Sequence, residues 1–314
     1  MRIVFCGSGE FGIPTLRALL ASSHEVVGIR TQPPRPAGRG GKERPTPVAE
    51  FAQAGGLAYE PVADINEPAV VEVIRQLRPD VVFVVDFGQK IGPELCQSAA
   101  HGAVNLHGSL LPELRGAGPV NWAIIRGYHE TGVTTFRIVE KMDAGTMFIR
   151  KATSISPDET AEELRRRLAE IGSQAVMETF GLFAAGWSAG TEQDHSKATK
   201  APKLKKSDGV INWAADAVTI RNLIHGTWPW PGGQSEFVNA AGKNVPVMIA
   251  RAAAVELEAT LPPGTLEHDL TIATGKGRLA IRQVKPSGGR LMEWRDFVNG
   301  HRVVPGLRFQ SVQL

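Results

Sequence analysis

Cysteine is scarce in this chain, and long hydrophobic runs are missing. The two cysteines among 314 residues, Cys6 and Cys96, stand far apart and outside any C-x-x-C or zinc-ligand spacing, which excludes a disulfide framework. No stretch is long enough to cross a bilayer, and the first residues lack the apolar region and cleavage site of a signal peptide. We therefore expect two buried thiols in a protein of the reducing cytoplasm, with no membrane partner.

Metal-ligand motifs are also absent, and the net charge is small. None of the eight histidines belongs to an H-E-x-x-H or similar set, so we expect no metal. A net charge of +3 does not diagnose nucleic-acid binding, but basic residues are concentrated in two clusters. Each cluster is either a solvated loop or a surface for a polyanion. The first comprises Arg35, Arg39, Lys42 and Arg44, and the second Lys197, Lys200, Lys203, Lys205 and Lys206.

The first half of the chain alternates apolar, strand-like runs with amphipathic segments. The runs 3–6, 25–31, 80–85 and 103–107 are typical of a Rossmann-like, mostly parallel sheet with helices on both faces. Thr160 and Glu163 form a capping-box pattern before a long helix. Short apolar runs between Gly and Pro later in the chain predict a small β-rich domain or barrel. We predict domains at 1–188 and 207–314, joined by a Lys-rich linker at 189–206.

The glycines at positions 7, 9 and 12 match the dinucleotide fingerprint G-x-G-x-x-G between a first strand and a helix. The second strand ends at Arg30-Thr31 without an acidic residue for a ribose 2′-hydroxyl, which leaves only NADP binding through Arg30. A tight turn with close helix packing is the other interpretation of these glycines, and we favour it.

Asn105 and His107 are two positions apart on a predicted strand, so their side chains share one face. Two donors on one face suit the developing oxyanion of an acyl transfer. Asp143 follows the strand-like run 133–139, and we expect it at the same sheet edge, where it would orient His107. The alternatives are a satisfied Asn and His at a strand end, and an ordinary turn aspartate.

The run from Asn105 to Pro112, followed by Leu114-Arg-Gly-Ala-Gly-Pro119 and by Asp143-Ala-Gly145, resembles the core signature of the formyltransferases that use 10-formyltetrahydrofolate. Within that family the chain is most similar to the branch that acts on methionyl initiator tRNA. The resemblance covers nearly the whole chain. Supporting segments are 31–40, 201–206, 208–213, Trp228-Pro-Trp230-Pro and 304–306.

The resemblance implies an α/β catalytic domain and a C-terminal, OB-like domain that helps to bind tRNA, in a bacterial cytoplasmic protein that we expect to be a monomer. It implies catalysis by Asn105, His107 and Asp143. The formyl-folate co-substrate would contact Ser109, Leu110, Leu111 and Pro112. The tRNA would contact Arg39, Lys42, Arg44, Lys203, Lys205 and Lys206.

Three other functions are compatible with parts of this pattern. A formyltransferase for a nucleotide-linked amino sugar would use the same catalytic residues without a tRNA-binding domain. An NADP-dependent oxidoreductase would use the glycine fingerprint. A tRNA-binding protein without catalysis would leave Asn105, His107 and Asp143 incidental.

Overall fold

A computed structural model of the protein describes residues 1–37 and 41–313. Two compact units are assembled from interleaved segments of the chain. The first comprises Met1–Pro119, Gly132–Thr153 and Arg165–Ala201, and the second comprises Val120–Thr131, Ser154–Leu164 and Pro202–Leu314. The domain boundaries at residues 188 and 206 stay a prediction.

Strands and helices alternate through the first half of the chain, as the sequence predicts. The strands are β1 (Arg2–Gly7), β2 (Glu25–Thr31), β3 (Arg35–Ala37), β4 (Lys42–Arg44), β5 (Glu60–Pro61), β6 (Val81–Val85), β7 (Ala103–His107), β8 (Glu130–Arg137), β9 (Met147–Ser154), β10 (Gly233–Val238), β11 (Asn244–Val255), β12 (Ile272–Ala273), β13 (Arg278–Pro286), β14 (Met292–Glu293) and β15 (Arg308–Gln310). The helices are α1 (Ile13–Leu20), α2 (Pro47–Ala54), α3 (Pro68–Gln76), α4 (Pro93–Cys96), α5 (Pro119–Ile125), α6 (Ala161–Ala184), α7 (Ala217–Thr227) and α8 (Trp294–His301).

A seven-stranded sheet in the order β5-β2-β1-β6-β7-β8-β9 forms the centre of the first unit. The pairs β1–β2, β1–β6, β2–β5 and β6–β7 are parallel, whereas β7 and β8 are antiparallel. Every residue of β6 is buried, as expected for a strand covered on both faces. The predicted mostly parallel α/β fold is therefore confirmed.

Alternate residues of the central strands pack against helices on opposite faces of this sheet. Val4 and Val82 share a core cluster with Ile74 of α3. Phe5 and Phe83 face the other way, and the Phe83 ring meets Phe180 of α6 edge-on with ring centroids 5.8 Å apart. Helix α6 begins where the capping box predicts. The Thr160 amide donates to Glu163 Oε2 at 2.9 Å, and the Glu163 amide donates to Thr160 Oγ1 at 3.4 Å.

The glycine fingerprint serves close packing. A Cβ on Gly12 would lie 2.7 Å from Val85 Cγ1, and one on Gly9 would overlap the carboxylate of Asp86. A carboxylate at this position disfavours the pyrophosphate of a dinucleotide. Arg30 has a buried side chain and pairs with Glu60 at 3.0 Å, so it is not a free cation for a 2′-phosphate. The interpretation of these glycines as turn and packing residues agrees with these contacts.

The second unit contains an antiparallel sheet in the order β12-β13-β11-β10-β15, with β14 paired to β13. The long strands β11 and β13 contribute Ile249 and Ile281 to a core that also contains Phe237 and Phe297. This nearly closed, barrel-like sheet confirms the predicted β-rich C-terminal region. Among residues 1–37 and 41–313, no helix combines the length and hydropathy that a bilayer crossing needs.

The two cysteines differ in their environments. Cys6 is buried in β1, and burial raises the pKa of its thiol to about 12. Cys96 is only partly buried, so the expectation of two buried thiols is correct for Cys6 alone. Within the described part of the chain, no three His, Cys, Asp or Glu side chains lie together in a way that could hold a metal ion.

Candidate active site

Strand β7 places Asn105 and His107 on one face of the sheet in the first unit. The residue between them, Leu106, packs against α6, where a Cβ on Gly172 would lie 2.6 Å from Leu106 Cδ2. Because side chains alternate along a strand, Asn105 and His107 lie on the face away from α6. His107 is 6% exposed, and Asn105 is partly exposed.

The imidazole of His107 has one nitrogen in a hydrogen bond and one facing an acid. Nε2 lies 2.9 Å from the backbone oxygen of Leu114, and since that oxygen can only accept, Nε2 carries a proton. Nδ1 lies 3.9 Å from Asp143 Oδ2, within ion-pair distance but too far for a direct hydrogen bond. The Nδ1 edge of the ring therefore faces Asp143.

Asp143 reaches His107 by a route that the sequence did not predict. Strand β8 runs antiparallel to β7, and its last residue, Arg137, pairs with Val104 rather than with the end of β7 that carries His107. The argument from a shared sheet edge is therefore wrong, although the predicted proximity holds. The loop between β8 and β9 brings the carboxylate of Asp143 to the ring.

A glycine binds the same carboxylate oxygen of Asp143 that faces His107. The amide of Gly116 donates to Asp143 Oδ2 at 2.8 Å. Gly116 has a φ of 122°, and a Cβ there would lie 2.5 Å from the backbone oxygen of Ala201. Only glycine tolerates both conditions. The close approach follows from the pairing of Arg115 with the segment 199–201, in which the Arg115 amide donates to Thr199 O at 2.9 Å and the Ala201 amide donates to Arg115 O at 2.7 Å.

Gln193 is a residue of this site that the sequence analysis missed. Its side-chain nitrogen donates to the backbone oxygens of Asp143 at 2.9 Å and Gly145 at 2.7 Å. Its side-chain oxygen accepts from Arg115, at 3.1 Å from Nε and 2.5 Å from Nη2. Gln193 is 5% exposed, although it lies in the segment interpreted as a linker. The amide thus connects the Asp143 loop to Arg115.

Arg115 completes this network at a partly exposed position. Its Nη2 also donates to Nδ1 of the exposed His195 at 2.8 Å. Partial burial lowers the pKa of the guanidinium, and the charge of Asp143 acts in the opposite direction. Arg115 remains a cation, because even a lowered pKa for arginine lies far above neutrality.

The carboxamide of Asn105 makes no side-chain hydrogen bond to any of residues 1–37 or 41–313. It is partly exposed, so its two N–H donors are open to a ligand. An amide that no described residue occupies, beside an imidazole and a carboxylate, is an arrangement that can bind and polarise a carbonyl oxygen.

The four residues predicted to contact folate divide into two pairs. Ser109 and Leu111 are buried: the Ser109 hydroxyl donates to Glu113 O at 2.7 Å, and the Leu111 amide donates to Thr134 Oγ1 at 3.1 Å. Leu110 and Pro112 are partly exposed. The first pair shapes the loop, and the second presents apolar surface.

The predicted tRNA-binding residues belong to both units. Arg39 and the side chain of Lys42 lie outside the part of the chain that the structure describes. Arg44 is exposed in β4 of the first unit. Lys203, Lys205 and Lys206 are exposed in the second unit.

Comparison with known proteins agrees with this architecture. Residues 1–180 match the family model described as formyl transferase, and residues 203–302 match the model of the formyl transferase C-terminal domain. A methionyl-tRNA formyltransferase of Geotalea uraniireducens is 37% identical over 316 residues, covering 98% of this chain and 97% of that protein. A methionyl-tRNA formyltransferase of Solibacter usitatus is 39% identical and covers 96% of each chain.

Solved structures share the fold at low sequence identity. HypX of Aquifex aeolicus in complex with tetrahydrofolic acid has a TM-score of 0.64 and 18% identity, and the match covers 96% of this chain but only 47% of HypX. An N-formyltransferase of Helicobacter canadensis in complex with folinic acid and dTDP-3-aminofucose has a TM-score of 0.66 and 13% identity, and covers 89% of this chain and 97% of that one. At these identities the likeness concerns the fold alone.

Proposed function

The chain belongs to the formyltransferase family, and from that premise we propose that it transfers the formyl group of 10-formyltetrahydrofolate to the α-amine of methionyl initiator tRNA. The observation that carries the proposal is the unpartnered carboxamide of Asn105, two residues from a histidine that faces Asp143 at 3.9 Å. The acceptor is chosen because relatives named as methionyl-tRNA formyltransferases match this chain over nearly its whole length.

In the proposed reaction, the amine nitrogen attacks the formyl carbon and forms a tetrahedral intermediate. The formyl oxygen then carries a negative charge, and the N–H groups of Asn105 donate to it. One such donor typically lowers the barrier by about 3 to 4 kcal/mol. The intermediate collapses by breaking the bond between the formyl carbon and N10, which takes up a proton as tetrahydrofolate leaves.

His107 and Asp143 have different roles in this scheme. His107 keeps Nε2 on Leu114 O, so only its Nδ1 edge is available to the reaction. A proton on Nδ1 gives the site a second donor for the oxyanion, and the carboxylate of Asp143 stabilises that charged ring. Asp143 Oδ1 makes no hydrogen bond within the described residues and can accept the proton that the amine loses.

The folate co-substrate fits the loop after β7 by its chemistry. Leu110 and Pro112 offer partly exposed apolar surface for a flat heterocycle, whereas Ser109 and Leu111 hold the loop through Glu113 and Thr134. We therefore assign ring contacts to Leu110 and Pro112 and loop support to Ser109 and Leu111.

The tRNA contacts are proposed on charge. Exposed basic side chains bind phosphates and position an RNA without reading its sequence. We assign this role to Arg39, Lys42, Arg44, Lys203, Lys205 and Lys206. The proposal includes a monomer acting in the bacterial cytoplasm, where translation supplies the acceptor.

The direct test mixes the pure protein with 10-formyltetrahydrofolate labelled in the formyl carbon and offers three acceptors in parallel. These are methionyl initiator tRNA, a dTDP-linked amino sugar and water alone. We expect the label to be covalently bound in the tRNA fraction, with none in the sugar. Label in the sugar would show that the protein transfers formyl groups but that the acceptor is an amino sugar. Release of free formate alone would contradict transfer to any amine.

A further inference from the structure

Trp230 is an exposed aromatic residue that has no role in the proposed catalytic mechanism. Its side chain lies in the second unit, is 56% exposed, and stands between Pro229 and Pro231. The two prolines restrict the backbone on each side of the indole. A large aromatic surface left in water on a restrained turn offers a binding platform that loses little conformational entropy when it is covered.

The turn that carries Trp230 lies against the Lys-rich segment. The side-chain nitrogen of Gln234 donates to Lys206 O at 3.0 Å and to Pro231 O at 3.4 Å, so one amide joins the two segments. Gly209 packs so closely on the turn that a Cβ would lie 2.2 Å from Gly232 O. The turn that carries the exposed indole and the segment that carries the lysines therefore lie side by side in the second unit.

The Lys-rich segment carries unneutralised positive charge. Lys203, Lys205 and Lys206 are exposed, and none forms an ion pair with another of the described residues. Asp208 is the acidic side chain in this segment, and its Oδ2 accepts from the backbone amide of Lys205. A protein partner of neutral surface would leave three ammonium groups uncompensated, whereas a nucleic acid supplies phosphates for them.

We propose that Trp230 and the lysines at 203, 205 and 206 form a binding surface for single-stranded RNA, in which the indole stacks on an unpaired base and the lysines contact the adjacent phosphates. An aromatic face beside a basic strip is the combination that binds single strands without sequence preference. A base within a duplex has both faces covered by its neighbours, so the occupant is an unpaired segment. The inference rests on the proposed function only in assigning this segment to the tRNA substrate.

Direct binding tests the surface without formyl transfer. The 314-residue protein is titrated into a fluorescently labelled, unstructured oligouridine and into a labelled RNA duplex of equal length. The anisotropy of the label gives the affinities of wild type, Trp230→Ala, Trp230→Phe and Trp187→Ala, and tryptophan fluorescence is recorded for wild type alone. Trp187 is the matched control because it is 41% exposed and has no Lys or Arg within four residues.

We expect oligouridine to quench the wild-type fluorescence and Trp230→Ala to weaken oligouridine binding by about tenfold. Trp230→Phe should retain most of the affinity, Trp187→Ala all of it, and duplex binding should not respond to Trp230→Ala. Unchanged oligouridine affinity in Trp230→Ala, or an equal loss for duplex, overturns the stacking role. If Trp230→Ala lowers the melting temperature and Trp230→Phe binds no better, Trp230 is structural and the proposal fails.

Kinetics then identify the RNA. With methionyl-tRNA as acceptor, Trp230→Ala should raise the KM for tRNA about tenfold, while the KM for the folate stays within twofold of wild type. An unchanged KM for tRNA would show that the RNA bound at this surface is not the tRNA substrate, while the oligouridine result would still support single-strand binding. Failure of wild type to formylate tRNA would contradict the proposed function, and the oligouridine result would still stand.

Discussion

Two buried histidines, one in each unit, differ in the state of their second nitrogen. His225 in α7 has a partner for both: Nδ1 lies 3.2 Å from Pro157 O, and Nε2 accepts from the Ala252 amide at 3.2 Å. Among the described residues, His107 in β7 has a hydrogen-bond partner for Nε2 alone, and its Nδ1 faces Asp143 at 3.9 Å. Both nitrogens of the His225 ring are paired with backbone groups, whereas Nδ1 of the His107 ring is open toward Asp143.

The difference distinguishes the histidine of the candidate site from a fully paired one. A ring nitrogen without a hydrogen bond, facing a carboxylate, can take part in binding or chemistry, whereas a ring with both nitrogens paired cannot. Burial lowers the pKa of His225 to about 4, partly opposed by its hydrogen bond to Pro157, and this histidine stays neutral at pH 7. His107 has a charged neighbour at ion-pair distance and an open Asn105 two residues away.

The largest expected effect comes from removing the charge that faces His107. Asp143→Asn keeps an oxygen that can accept from the Gly116 amide, so the loop should hold, but it loses the proton acceptor. A positioned general base is worth a factor of roughly 10² to 10⁴, and we expect the single-turnover rate to fall within that range. Glu72→Gln, at an exposed position of α3, is the control and should react like wild type.

Gln193→Ala tests whether the Asp143 loop needs its buried connection to Arg115. The substitution leaves the carbonyls of Asp143 and Gly145 without their donor. A displacement of about 1 Å at a catalytic group can cost as much as a hundredfold in rate. We expect kcat to fall between ten- and a hundredfold and both KM values to change by less. A ten- to hundredfold rise in KM with an unchanged kcat would assign Gln193 to substrate binding instead.

The lysines of the second unit should act through salt-dependent affinity rather than through catalysis. Replacing Lys203, Lys205 and Lys206 together by Ala removes three candidate phosphate contacts. Each contact contributes about 0.7 to 0.9 to the slope of log affinity against log salt. We expect the slope for tRNA binding to become less negative by about 2, with folate binding unchanged. An identical slope in the triple variant would exclude these lysines from the RNA interface.

His225 should control how the stability of the second unit depends on pH. Because its pKa is lowered in the folded state, the unfolded chain takes up the proton first as pH falls. The free energy of unfolding should therefore be unaffected above pH 6.5 and decrease between 6.5 and about 4, by at most about 1.4 kcal/mol per pH unit. Urea unfolding at a series of pH values measures this free energy.

His225→Asn is the matched variant for that experiment. It should be less stable at neutral pH, since the pairing with both Pro157 and Ala252 is lost, but its stability should decline less steeply on acidification. His24 also has a pKa lowered by burial, and it is present in both proteins. A parallel decline in wild type and His225→Asn would show that other groups cause the pH dependence.

Local patterns were sufficient for the elements and for the placement of Asn105 and His107 on one strand. The alternation around Asn105 and His107 and the pairing of Thr160 with Glu163 are properties of a few adjacent residues, and both appear in the structure as predicted. The approach of Asp143 depends on the antiparallel register of β8 and on the loop that follows it. That geometry is tertiary, and no periodicity reports it.

Gln193 and Gly116 are two further residues whose roles depend on tertiary contacts that local sequence patterns do not report. Gln193 lies in a polar, Lys-rich stretch without a repeating apolar pattern, which is why the sequence favours a linker there. Its importance comes from bonds to residues about fifty positions away in the Asp143 loop. Gly116 is one of 34 glycines, and only the pairing of Arg115 with 199–201 distinguishes it.

The chemical step of Asn105→Ala tests the central claim most directly. The Asn105 side chain has no hydrogen-bond partner among residues 1–37 and 41–313 that its removal would leave unpaired, so the variant should fold normally. With both substrates saturating, we expect its single-turnover formyl transfer to be about 10²- to 10³-fold slower than wild type, while the dissociation constant for 10-formyltetrahydrofolate stays within twofold. A rate within a factor of three of wild type would contradict the assignment of this face of β7 as the active site.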